Sequence, residues 1–161
     1  MIIVVELILL CALFFGICYM NTGSDQKNIK SFSSYPDLIQ ESVRNNPQLA
    51  SKIKTASPAA SFISNVVLFG IILFILGLPV RSPDFIRNFV TLSILGQGLN
   101  AFDFLVIDML WWRNSKRVRF SGTENMPQLY KSPKKHFESF LRGIAAFLVV
   151  AVLDGALLML F

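Results

Sequence analysis

An all-α integral membrane bundle of four transmembrane helices is the fold class this sequence predicts, and three observations predict it. The 161 residues are 53% hydrophobic with a mean hydropathy of +0.56, too apolar for an ordinary soluble fold. Four stretches, Met1 to Met20, Phe62 to Val80, Phe89 to Trp112 and Gly143 to Phe161, each approach the roughly 20 apolar residues that a helix needs to cross hydrocarbon. Thirteen of the 15 Lys and Arg residues fall in only two of the segments between them. A closed barrel is the other way to satisfy backbone groups in lipid, but near-continuous runs such as Val66 to Leu78 lack the alternation of barrel strands.

The first stretch reads as a retained span and not a cleaved signal peptide. It has no basic leader, carries Glu6, and shows no small-residue cleavage pattern before Asn21. Cys11 and Cys18 lie about 10 Å apart along its axis, too far to bridge, and read as small packing residues. In the connection at 21–61, Pro36 to Val43 and Pro47 to Ile53 open on helix-start signals and space their apolar residues helically (Leu38, Ile39, Val43; Leu49, Ile53). Two short amphipathic helices along the headgroups are expected there, against a disordered linker as the alternative. Ser57-Pro58, Ser82-Pro83 and Ser132-Pro133 each place a capping hydroxyl before a proline at a first helical position. The fourth helix is therefore expected to begin near Pro133, well before its apolar part at Gly143.

Lys27, Lys30, Arg44, Lys52 and Lys54 lie in the 21–61 segment, and eight more bases lie in the segment at 113–142, with only Arg81 and Arg87 elsewhere. The positive-inside rule then puts both segments in the cytoplasm and both termini outside. The net charge of +5 accordingly favours anionic lipid headgroups as partners. No aromatic and basic platform points to nucleic acid.

Four acids lie inside the apolar stretches: Glu6, Asp103, Asp108 and Asp154. Charges in a span are costly and mark candidate function. Counting 1.5 Å per residue, Asp108 lies about 7 Å from Arg113 and Asp103 about 15 Å, near the bilayer centre. Glu6 and Asp154 fall near the outer ends of their helices and read as boundary residues. Gln97, Asn100, Asp103 and Asp108 share a polar arc of about 140° on the third helix. That arc is either a pocket for a cation, proton or headgroup, or an interhelical hydrogen-bond network supported by Gly70, Gly77, Gly96 and Gly98. At the inner boundary, an ion pair between Asp108 and Arg142 is the structural expectation.

In the second basic segment, Gly122 is expected to make a tight turn and Glu124 to form a salt bridge with a nearby Arg. His136, the single histidine, reads as a solvated residue unless Asp108 or Glu124 folds against it, in which case an acid/base dyad of Asp108 and His136 arises. Arg117, Arg119, Glu124, Lys134, Lys135 and Arg142 are the candidate headgroup or phosphate contacts. One histidine is too few for metal hydrolysis, no metal or cofactor is implied, and Gly96-Gln97-Gly98 within a span is no nucleotide fingerprint.

Asn100-Ala101-Phe102-Asp103, Asp108, Trp111, Gly122-Thr123-Glu124, Tyr130 and His136-Phe137 give an order that resembles a group of small bacterial four-helix membrane proteins with no assigned activity. The resemblance covers the last third to half of the chain. It implies an inner-membrane setting and a single constellation of Asp103, Asp108, Glu124 and His136.

The first functional expectation is a non-enzymatic membrane protein with a cytosol-facing polar pocket. It would serve in small-molecule or ion handling, or as an accessory subunit. Four spans without a repeat imply a homo-oligomer or a membrane partner. The second is a membrane-embedded enzyme acting on a lipid or isoprenoid headgroup, and the third a structural or lipid-organising protein.

Overall fold

The structure, a computed structural model, describes residues 2–54 and 56–161. Met1, where the first span is expected to begin, and Thr55, within the first connection, lie outside them. Among the described residues 81% are helical and there is no strand. Four helices are long and apolar enough to cross a membrane, Ile2–Met20, Pro58–Val80, Phe85–Asn114 and Pro127–Leu160.

The principal helices are α1 (Ile2–Met20), α2 (Asp25–Asn28), α3 (Asp37–Arg44), α4 (Pro47–Ala50), α5 (Pro58–Gly77), α6 (Phe85–Phe102) and α7 (Lys134–Leu158). Their starts follow from local chemistry. The Ser57 hydroxyl accepts the Ala60 N–H at 3.2 Å, with Pro58 in the first turn. At α6 the cap moves two residues along. Ser82 accepts the Asp84 N–H, but Asp84 Oδ1 accepts the Ile86 N–H at 2.9 Å and the helix begins at Phe85. In α7 the Pro133 carbonyl accepts the Phe137 N–H at 2.9 Å, so the helix starts one residue beyond the expected position.

The residues form two compact units, one of 2–12, 56–102 and 140–161, the other of 13–54 and 103–139. In the first unit, helix contacts are made where side chains are small. A Cβ on Gly96 would sit 2.7 Å from the Phe147 ring, one on Gly98 2.9 Å from Leu7, and one on Gly77 2.6 Å from Leu158. Missing side chains let helix backbones approach, the usual means of association in lipid. Amide side chains add the polar contacts: Gln97 Nε2 donates to the Ile144 carbonyl at 3.0 Å, Asn100 Nδ2 to Phe140 at 3.2 Å and Asn88 Nδ2 to Gly155 at 3.3 Å.

The second unit is built around large rings. Phe32, Tyr35, Phe120 and Tyr130 are each no more than 1% exposed and share a core with Trp112 and Val118. The expected amphipathic helices form as α3 and α4. Their apolar residues Ile39, Val43 and Leu49 join this core, however, while Leu38 is exposed. The expected headgroup-facing arrangement is thus corrected: the apolar faces are spent on protein. The Tyr35 hydroxyl donates to the Val118 carbonyl at 2.9 Å, and burial pushes its phenol well above the ordinary range. Gly122, at φ +86°, makes the expected turn.

From Asp103 to Trp111 the helix is neither α nor 3-10 but π. Nine consecutive residues of π-helix are unusual, since the form normally appears as a single turn and often at functional sites.

Candidate functional site

Hydrogen bonds in a π-helix span five residues, so positions five apart come round to nearly the same side. In an α-helix they would lie about 140° apart. Asp103 and Asp108 are five apart, and both line one cavity of about 320 Å³ in the second unit. His136, in the first turn of α7, lines it too. Much of the remaining wall is contributed by the end of α1 and the chain after it, including Cys18, Asn28, Lys30, Ser31, Ser34 and Tyr35.

His136 is 3% exposed, which corrects its reading as a solvated residue. Its Nδ1 lies 2.9 Å from Asp108 Oδ1, and its ring packs edge-on to Trp112 with centroids 4.7 Å apart. A burial this complete is tolerable because the carboxylate supplies the hydrogen bond that water would have made. The opposite ring atom, Nε2, is buried with no hydrogen-bond partner. The ion pair expected between Asp108 and Arg142 is replaced by this pair, and Arg142 is exposed. Asp103 has no ion-pair partner among the described residues.

The arc expected to be either a pocket or an interhelical network is divided between the two. Gln97 and Asn100 belong to the first unit and donate to α7 carbonyls, the packing role. Gly143 explains the Asn100 bond, since a Cβ there would overlap the Asn100 amide. Asp103 and Asp108 belong to the cavity. The two remaining acids, near the outer ends of their helices, are turned towards protein: Asp154 is 6% exposed, and Asp154 Oδ2 and Glu6 Oε2 are both buried without a hydrogen-bond partner.

Several candidate headgroup contacts are already engaged with protein. Arg117 Nη2 donates to the Tyr19 and Thr22 carbonyls at 3.3 and 3.1 Å, with its guanidinium 4.0 Å from the Tyr19 ring centroid. Arg119 Nη1 donates to the Glu124 carbonyl at 2.9 Å. The Glu124 carboxylate accepts the Gly122 N–H at 2.8 Å, so it holds the turn and does not form the expected salt bridge. Lys135 pairs with Asp37 at 2.9 Å, and this hydrogen bond holds the Asp37 carboxyl below its usual range. Lys134 and Arg142 remain exposed.

Lys30, Ser31, Ser34 and Tyr35 are cavity residues that sequence reasoning does not single out. They lie 68 or more positions from the acids, and no local pattern couples such separated segments. The group of three acids or histidines or cysteines that would hold a metal ion is absent among the described residues. Comparison with protein-family models, curated proteins and solved structures finds no match.

Proposed function

We propose that the chain is a multi-pass protein of a bacterial inner membrane, with both termini outside, whose second unit offers a polar ligand pocket to the cytoplasm. It would handle a small polar molecule or headgroup, by itself as a homo-oligomer or as an accessory subunit of a membrane complex. The observation that carries this reading is the cavity of about 320 Å³ lined by Asp103, Asp108 and His136. A cavity of that size with a few converging polar groups is the usual form of a small-molecule site. Carboxylates within an apolar chain segment are costly to retain unless something uses them. The distribution of bases supports the orientation.

One observation favours a second reading, acid/base chemistry on a headgroup: the 2.9 Å contact between His136 Nδ1 and Asp108 Oδ1. A carboxylate that holds Nδ1–H fixes the tautomer and leaves Nε2 as the proton acceptor. Asp108 is then the positioning residue and His136 the base.

Mass spectrometry of molecules that copurify with wild type and with Asp103→Asn tests the pocket. A single species carried by wild type and reduced at least tenfold in the variant is the expected outcome. If both carry the same set in the same amounts, the pocket is not a binding site. If wild type carries a species that differs by loss or transfer of a headgroup from the one that His136→Gln carries, the second reading prevails.

A further inference from the structure

The pocket lining holds both carboxylate acceptors and ammonium and hydroxyl donors. Resting on the reading of the cavity as a ligand site, we infer that its ligand is a lipid whose headgroup joins a primary ammonium to a phosphate.

Part of the lining offers acceptors. Asp103 has no ion-pair partner among the described residues, and Asp108 gives one oxygen to His136 Nδ1. A primary ammonium brings three N–H donors, and in a dry site each needs an acceptor. A quaternary ammonium needs open aromatic faces instead. Here the rings pack on each other: Trp112 stands edge-on to Tyr35 at 4.9 Å and to His136 at 4.7 Å, and Trp111 edge-on to Phe15 at 5.3 Å. Recognition of a cation therefore falls to acceptors.

Other lining residues, Lys30, Ser31 and Ser34, offer donors. Nearby Asn21, Thr22 and Asn28 already donate to the carbonyls of Ile17, Tyr19 and Arg117. An ammonium with flanking hydroxyls suits an oxyanion, and phosphate accepts from several donors at once. Phe14, Ile17 and Ile107 complete the wall with an apolar strip. Three apolar side chains in a cavity beside a membrane-crossing helix favour an acyl-bearing source over a soluble aminoalkyl phosphate. The volume is near the lower end of the ~300–1,000 Å³ range of ligand pockets, which suits a headgroup.

Trp111 and Trp112 are the two tryptophans of the chain and both line the cavity, so their fluorescence reports occupancy. Delipidated full-length protein is titrated with short-chain phosphatidylethanolamine, phosphatidylcholine and phosphatidylglycerol, and with free phosphoethanolamine. The expected result is a Kd for phosphatidylethanolamine at least tenfold below those of the other three, raised at least tenfold by Asp103→Asn and several-fold by Lys30→Gln. Lys30 is exposed, so that variant carries the test if Asp103→Asn does not fold. Equal affinity for phosphatidylglycerol or phosphatidylcholine overturns the ammonium, and equal affinity for phosphoethanolamine overturns the lipid source. Should a different molecule bind in an Asp103-dependent way, this inference falls and the pocket stands. Should no probe or copurifying molecule respond to Asp103→Asn or to the cavity-filling Ser34→Trp, both fall.

Discussion

The first unit packs by leaving side chains out, whereas the second packs by putting large ones in. Gly77, Gly96, Gly98 and Gly143 are where helices of the first unit come together. Tyr35 in the second has ring neighbours Trp112 and Phe120 within 5 Å, at 4.9 and 4.8 Å, and Tyr130 at 6.2 Å. The first is the kind of packing expected of helices in lipid. Lipid gives no reward for hiding a leucine, so close backbone approach and amide bonds hold the helices together. A core of aromatic rings is what water drives together.

The largest expected effect is in the aromatic core. Phe120→Ala removes a ring that is 0% exposed and should lower the stability of the second unit by about 3–5 kcal/mol. Tryptophan fluorescence reads that loss, since Trp111 and Trp112 both lie in this unit. A fluorescence transition that falls well ahead of the loss of helical circular dichroism would sharpen the contrast between the units. Superimposed transitions would erase it.

Gly143→Ala should cost less, about 1–3 kcal/mol, because the new methyl overlaps the Asn100 amide. The bond from Asn100 to the Phe140 carbonyl prevents that amide from simply turning aside. Asn100→Ala in the same chain makes room, so the double variant should recover part of the helical melting temperature that the single one loses. No recovery would mean that the glycine is not there to admit Asn100.

The smallest effect belongs to the ion pair of Lys135 with Asp37, whose side chain is 65% exposed. Lys135→Met should leave the unfolding midpoint at neutral pH nearly unchanged, as is usual for exposed pairs. The sign of the pH dependence is fixed by the lowered Asp37 pKa. Its contribution is present above the ordinary carboxylate value of 3.8 and disappears as pH falls through the lower folded value. Midpoints of wild type and variant should therefore converge on acidification. A gap that widens instead would rule out Asp37 as the partner that matters.

The spans, the cap at Ser57-Pro58, the start of α7 beside Pro133, the short helices α3 and α4 and the turn at Gly122 were legible because each depends on residues close in sequence. What α3 and α4 pack against was not legible. An apolar stripe at helical spacing looks the same whether it meets lipid or protein, and only the distant Val118, Phe120 and Tyr130 decide. The site was half legible. Asp103, Asp108 and His136 stood out as costly or solitary groups. Their separation from Gln97 and Asn100 was not visible, because 100° per residue was assumed for a helix that widens at Asp103.

That widening has a consequence for how the chain could have acquired its pocket. A π-helix fits one more residue into each turn than an α-helix does, so the segment from Asp103 to Trp111 behaves as inserted length held without a loop. Deleting a residue there would let the helix tighten and swing Asp108 and Trp112 away around its axis, with no change in hydropathy. Two chains with the same four spans could then differ by a single position in this stretch, one with a polar cavity and one without.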